Sequence, residues 1–177
     1  MSVPNILTLI RILLIPFFVI LIINKSFGWA LGIFAIAGIT DGMDGLIARI
    51  THQRTELGAY LDPIADKLLL SAGFVTLAII ERVPSWLAVI VISRDVIILL
   101  GILVMILTND RPTIQPSLIS KVTTTLQIFT VLLVLMVEYG SIFRILSTIV
   151  IYTTTFFTIL SGSHYIYIAT RILNKKK

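Results

Sequence analysis

The sequence predicts an all-α integral membrane protein, and three observations carry that prediction. Of 177 residues, 57 % are hydrophobic and 13 % charged, where a soluble domain is roughly 45–50 % apolar and about 25 % charged. The mean hydropathy is +1.04. The apolar residues fall into runs of about 20, the length a helix needs to cross roughly 30 Å of hydrocarbon. These features exclude an ordinary soluble enzyme, a disordered tail and a nucleic-acid module. The net charge of +5, from 14 Lys+Arg against 9 Asp+Glu, and a pI near 9.7 would suit an RNA binder. The positives sit at the ends of apolar runs, however, where membrane topology explains them. With no cysteine in the chain, a disulfide scaffold, a thiolate metal site and a cysteine nucleophile are all excluded.

Six transmembrane helices follow in order: Ile6–Ile23, Trp29–Arg49, Gly58–Ile80, Trp86–Thr108, Leu118–Val137 and Ile142–Leu173. Short polar breaks separate them at Asn24-Lys25-Ser26, Thr51-His52-Gln53-Arg54, Glu81-Arg82-Val83-Pro84 and Asn109-Asp110-Arg111-Pro112. Tyr139-Gly140 is a weaker break, and the long last run is expected to end in an interfacial or protruding turn. Connections this short predict one membrane domain over 1–177, with no linker and no repeat. The first span reads as a true span rather than a cleavable signal, because no positive charge precedes it and Arg11 interrupts it. An even number of spans puts both termini on one side. Arg49, Arg54, Lys67, Arg111, Lys121, Arg171 and the Lys175-Lys176-Lys177 tail share that side, against Lys25, Arg82 and Arg144 opposite. The positive-inside rule makes the first side cytoplasmic. The expected location is therefore the inner (plasma) membrane, with the tail anchored at its anionic surface.

Function is expected where charge enters the spans, since an ionised side chain at the bilayer centre costs about 2.5–3.5 kcal/mol on insertion scales. Asp41, Asp44, Asp62 and Asp66 lie near the cytoplasmic ends of spans two and three. The first pair is spaced i,i+3 and the second i,i+4, so each shares one helix face. A turn over 51–57 folds span three back beside span two, and four acids converge. Arg49 and Lys67 cannot balance four negatives facing one another, whereas two divalent cations can, and oxygen-only ligands suit Mg²⁺ or Mn²⁺. Two metals about 3.5–4 Å apart are a recurrent phosphoryl-transfer device. Gly42, Gly45 and Gly58 beside the acids point to close approach of a ligand or a neighbouring helix, since glycine weakens a helix by about 1 kcal/mol. Two other readings stay open: helix-capping carboxylates paired with local Arg and Lys, and the proton or cation relay of a small cation transporter.

The run Asp41-Gly42-Met43-Asp44-Gly45-Leu46-Ile47-Ala48-Arg49, followed after eight residues by Gly58-Ala59-Tyr60-Leu61-Asp62-Pro63-Ile64-Ala65-Asp66, resembles the signature of the CDP-alcohol phosphatidyltransferase family. Every fixed position of D-x2-D-G-x2-A-R-x8-G-x3-D-x3-D is met. The resemblance implies transfer of a phosphatidyl group from CDP-diacylglycerol to an alcohol, with release of CMP. By matching positions it implies that Asp41, Asp44 and Asp62 hold metals. Asp66 would ligate metal and also take the proton from the acceptor hydroxyl. Gly45, Ala48 and Gly58 would leave room for the cytidine diphosphate, and Arg49 would support its charge. Family members are commonly dimers, which the resemblance extends to this chain.

The acceptor is expected to be anionic. Arg11, Arg94 and Lys121 are intramembrane or interfacial cations outside the acidic motif, and Arg111 lies in a loop. Arginine offers phosphate a planar fork and lysine a point charge. Each also has a plain structural reading: snorkelling for Arg11 and Lys121, pairing with Asp95 for Arg94. The opening Pro4-Asn5-Ile6-Leu7-Thr8-Leu9-Ile10-Arg11, the Leu61–Lys67 run and Ser93-Arg94-Asp95 are most similar to phosphatidylglycerophosphate synthases, whose acceptor is glycerol 3-phosphate. Those enzymes carry a second arginine where this chain has Ile102, and Glu where it has Asp95. Ser93-Arg94-Asp95-Val96 and Ser120-Lys121-Val122 are at least as similar to CDP-dependent cardiolipin synthases, which use phosphatidylglycerol. Glycerol 3-phosphate is the first expectation and phosphatidylglycerol the alternative. A membrane prenyltransferase fits less well, because the A-R-x8-G spacing is foreign to it. The threonine runs at 123–125 and 153–155 are expected to bond their own helix backbones.

Overall fold

The structure, a computed structural model, describes the backbone of residues 3–50, 56–107 and 117–174, and within these the side chains of 7–40, 64–100, 117–168 and 170. Six α-helices and one 3₁₀ turn make up the described chain: α1 Val3–Ile23, α2 Phe27–Ile50, α3 Glu56–Ile79, α4 Ser85–Leu107, α5 Leu118–Leu135 and α6 Ser141–Asn174, with the turn at Val137–Tyr139. Each begins or ends within about three residues of a polar break in the sequence.

The ends have local causes. Pro4 is the second residue of α1, where a missing N–H leaves no bond unmade. The α1 and α3 C-termini close in the same way. Ser26 donates its backbone N–H to Leu21 O and Lys25 to Ile22 O, while Arg82 donates to Leu77 O and Glu81 to Ala78 O. Lys25 (φ 57°) and Glu81 (φ 60°) take the left-handed conformation this double bond requires. Ser117 caps α5 by accepting from the Ser120 N–H. The turn expected near the end of the last apolar run is not found among the described residues. α6 continues unbroken for 34 residues, or about 50 Å at 1.5 Å per residue. It has no proline to stop it.

Among the described residues, neighbouring helices close a ring in the order α1, α3, α4, α6, α5, α2, and α3 also touches α5 across it. Outward faces are apolar: Leu13, Phe17, Trp29, Ile39, Ile79, Val89 and Phe156 are exposed. Apolar outward faces of this kind are consistent with a membrane protein. Two helical stretches, Leu118–Leu135 and Ser141–Ile168, are long and apolar enough to cross a membrane, and Leu7–Ile23 and Phe27–Thr40 are shorter apolar stretches.

Inside the ring, side chains are segregated by depth. The end holding Phe27, Arg82 and Glu138 has the apolar core: Phe18, Ile22, Phe34, Phe74, Leu77, Leu87, Val91 and Leu135 are buried there. Phe18 stacks on Phe34 with ring centroids 5.5 Å apart. Arg82 pairs with Glu138 and lies 4.9 Å over the Phe27 ring, tying three connections together. At Gly73, α3 comes so close to its neighbours that a methyl group would stand 3.3 Å from Phe18 Cε1 and 3.7 Å from Val131 Cγ2. Gly73→Val is expected to cost about 1–3 kcal/mol, because the fully buried Phe18 has little room to yield. Thermal unfolding in detergent checks this; an unchanged Tm would mean that α3 can move away.

α5 and α6 meet through hydroxyls rather than bulky side chains. Thr130 Oγ1 and Thr154 Oγ1 are 2.8 Å apart, Thr123 donates to Phe157 O at 3.1 Å, and Thr154 donates to Leu126 O at 3.3 Å. Thr124, Thr125, Thr153 and Thr155 bond carbonyls of their own helices. Small hydroxyl residues let two apolar helices approach where no hydrophobic force distinguishes partner from lipid.

Candidate functional site

The opposite end of the ring carries charge in its interior. Arg11 on α1 is 1 % exposed, and its Nη1 lies 2.6 Å from Asp66 Oδ1 on α3. The Asp66 carboxylate is itself 38 % exposed, so it is held from inside the ring while part of it reaches the accessible surface. The next residue on α3, Lys67, reaches Asp95 Oδ1 on α4 at 2.7 Å. Arg94 Nη1 meets that same oxygen at 2.7 Å. The rest of the Arg94 guanidinium is held by hydroxyls, with Nη2 donating to Ser120 Oγ on α5 and Nε and Nη2 donating to Ser161 Oγ on α6. Five helices are thus joined through one polar layer, from Arg11 by way of Asp66, Lys67, Asp95 and Arg94 to the two serines.

Local sequence explains why these groups can meet. Asp66 and Lys67 are consecutive and therefore diverge by about 100° around α3, one toward α1 and the other toward α4. Arg94 passes α6 at Gly162, where a Cβ would be 3.9 Å from Arg94 Cγ, so the small pair Ser161-Gly162 admits the long side chain. An arginine buried at 3 % exposure must have partners for its N–H groups. Asp95, Ser120 and Ser161 take most of these, and among the described residues one Nη1 hydrogen is left over.

The expected site residues divide as follows. Asp66, Arg11 and Arg94 are described in full and belong to the polar layer. Lys121 is exposed, one residue beyond the Ser120 that Arg94 holds. The side chains of Asp41, Asp44, Gly45, Ala48, Arg49, Gly58 and Asp62, and the whole of Arg111, lie outside the described residues. The backbone under the acids is described and is helical, over Phe27–Ile50 and Glu56–Ile79. Asp41 and Asp44 thus occupy positions three apart on one helix, and Asp62 and Asp66 positions four apart on the next. Among the described residues no group of three potential metal ligands forms. The donor set of these helices is carboxylate oxygen alone, which is the chemistry a hard divalent cation takes; in that respect the residues fit Mg²⁺ or Mn²⁺. Sequence reasoning missed the roles of Ser120 and Ser161 and the pairing of Lys67 with Asp95. These contacts join residues 26, 67 and 28 positions apart, which no local pattern announces.

Comparison with known proteins gives the following. The family model described as CDP-alcohol phosphatidyltransferase matches residues 1–160. The chain is 35 % identical over 181 residues to CDP-diacylglycerol–glycerol-3-phosphate 3-phosphatidyltransferase of Wigglesworthia glossinidia brevipalpis, covering 98 % of this chain and 97 % of that one. The protein of the same name from Salmonella typhimurium is 40 % identical over 134 residues, 71 % of this chain and 72 % of that one. Human cardiolipin synthase (CMP-forming) is 39 % identical over 146 residues, 73 % of this chain. The chain spans about half the length of that human relative, 48 %.

Proposed function

We propose, from the premise that this chain belongs to the CDP-alcohol phosphatidyltransferase family, that it transfers a phosphatidyl group from CDP-diacylglycerol to glycerol 3-phosphate. The products are phosphatidylglycerophosphate and CMP, and the role is phospholipid biosynthesis. One observation carries the reading. Asp66, the last fixed residue of the family motif, is a carboxylate gripped by a buried arginine and still 38 % exposed.

That arrangement suits a general base. The acceptor hydroxyl oxygen forms a bond to the phosphatidyl phosphorus, the bond from that phosphorus to the CMP oxygen breaks, and the hydroxyl proton passes to Asp66. A carboxylate within hydrogen-bond reach of the hydroxyl can take it, and Arg11 fixes where the carboxylate stands. Asp41, Asp44, Asp62 and Asp66 would hold two divalent cations, Mg²⁺ or Mn²⁺, which would neutralise diphosphate charge and make the acceptor hydroxyl more acidic. Gly45, Ala48 and Gly58 would give the cytidine diphosphate close access to backbone, with Arg49 beside it. Arg94, with its remaining Nη1 hydrogen, would meet the acceptor phosphate together with Lys121 and Arg111, while Arg11 acts from behind Asp66. The chain would form one membrane domain over 1–177, with six spans, both termini cytoplasmic and the site facing the cytoplasm of the inner membrane. A homodimer is part of the proposal.

A second acceptor is favoured by a specific observation. The human relative is a cardiolipin synthase, and Ile102 stands where a phosphatidylglycerophosphate synthase carries its second arginine. Purified protein given CDP-diacylglycerol and Mg²⁺ or Mn²⁺ should release CMP with glycerol 3-phosphate. Release only with phosphatidylglycerol would replace the first acceptor by the second. Absence of release with either, or with any other alcohol, would sink the transferase reading.

A further inference from the structure

Gln127 on α5 is 0 % exposed. Among the described residues, neither its side-chain oxygen nor its nitrogen has a hydrogen-bond partner in the protein. The hydroxyl hydrogens nearby are committed elsewhere. Thr123 donates to Ile119 O and Phe157 O, Thr130 to Leu126 O, and Thr158 to Thr154 O. An amide so placed has lost its water without gaining a protein partner, which costs free energy unless something else meets it.

The contacts of α5 fix where this amide points. Thr123 and Thr130 both meet α6, and they lie about 40° and 60° to one side of Gln127 around the helix. Val131, which approaches Gly73 of α3, lies about 40° to the other side. Gln127 thus points into the ring, between α6 and α3. Thr158 of α6, also 0 % exposed, is placed in the same way. Thr154, about 40° to one side of it, meets α5. Gly162, about 40° to the other, stands against Arg94 of α4. Thr158 points into the ring as well.

Their depths agree. Thr154 donates to Leu126 O, so Gln127 stands beside Thr154, and Thr158 is about 6 Å nearer the polar layer. The two helices are antiparallel, since Thr123 meets Phe157 while Thr130 meets Thr154. Side chains lean toward the N-terminus of their own helix. The Gln127 amide leans toward the polar layer and the Thr158 hydroxyl leans away from it, so the two heads converge without bonding directly.

Chemistry narrows what can bridge them. The amide both donates and accepts, and Thr158 Oγ1, its hydrogen spent on Thr154 O, still accepts. The α3 residues at this depth, Leu69 and Leu70, are buried and apolar, so they offer an ion no counter-charge. An apolar group would leave the amide unmet. We propose that Gln127 and Thr158 hold one resident water molecule inside the ring. Its two hydrogens go to Gln127 Oε1 and Thr158 Oγ1, and it accepts from Gln127 Nε2, about three bonds being usual for a buried water. The site pins α5 against α6, the two helices whose serines hold Arg94. It does not depend on the transferase reading.

Magnetic resonance on the full chain in detergent tests the site. Gln127 is identified in ¹⁵N-glutamine-labelled protein through ¹³C-labelled Leu126, because the other glutamines, Gln53 and Gln115, follow His52 and Ile114. One long-lived water should show through-space contact with both the Gln127 side-chain amide and the Thr158 methyl group. Contact with only one of them, or with neither, overturns the proposal. Thr158→Val should lower the Tm by about 2–4 °C more than Thr155→Val, which removes a similar bond to its own helix away from the water. Thr158→Ser, which keeps the hydroxyl, should hold the parental Tm more closely than Thr158→Val does. Equal losses in Thr158→Val and Thr155→Val would also overturn the site. Should Thr158→Val not fold, the water contacts of the parent decide alone.

Discussion

Asp66→Asn is expected to lower CMP release by about 10²–10⁴-fold, the range that a positioned general base contributes. Asparagine keeps the shape of the side chain and an acceptor oxygen for Arg11, but it cannot take a proton from the acceptor hydroxyl. The experiment needs a control for folding, because the substitution also removes the negative charge facing an arginine that is 1 % exposed. Two facts keep that structural effect small. The carboxylate is 38 % exposed, so solvent screens the pair, and the amide oxygen can still accept from Nη1. A modest fall in Tm with a large fall in rate is the expected combination. Arg11→Met separates the roles further. It leaves the base in place but frees its position, so activity should fall less than in Asp66→Asn while stability falls more. A folded Asp66→Asn protein retaining a third or more of parental CMP release would remove Asp66 from the chemistry.

What the sequence could reveal depended on the range of the interactions. Helix ends were legible because they are local: Lys25-Ser26 and Glu81-Arg82 sit where a polar break meets the end of an apolar run, and the chain turns there. The acidic motif was legible because its spacing follows helix periodicity over a short stretch. The unbroken run of α6 was misread at its end, since declining hydropathy toward Asn174 says that a helix leaves the hydrocarbon, not that it stops. The polar layer was only half legible. Buried Arg11 and Arg94 stood out as charges within apolar runs, but their partners were invisible. Ser120 and Ser161 look like any small residue of a membrane helix until Arg94 is seen between them. Gln127 gave no signal at all, because one glutamine in an apolar helix reads the same whether it faces lipid, protein or a ligand.

Arg94 combines two roles that a pair of variants can separate. Its guanidinium is 3 % exposed and the Asp95 side chain 7 %, so Arg94→Met leaves the Asp95 carboxylate with Lys67 as its one remaining cation among the described residues and strips Ser120 and Ser161 of their donor. Breaking a buried pair from one side costs about 3–5 kcal/mol, because the surviving charge stays desolvated. Removing both charges avoids that penalty. Arg94→Met combined with Asp95→Asn should recover most of the lost stability, and Lys67, whose side chain is 29 % exposed, can turn to solvent. If Arg94 were only a brace, activity would return with the fold. If it also meets the acceptor phosphate, the double variant should be stable while its KM for an anionic acceptor stays roughly 10–100-fold above the parent's, the worth of a charge-assisted hydrogen bond of about 1.5–3 kcal/mol. Arg94→Lys gives the complementary case. It keeps the charge but loses the fork that spans Asp95, Ser120 and Ser161, so it should hold the fold better than Arg94→Met and still bind acceptor poorly. Parental KM in the double variant would confine Arg94 to the architecture and leave the acceptor phosphate to Lys121 and Arg111.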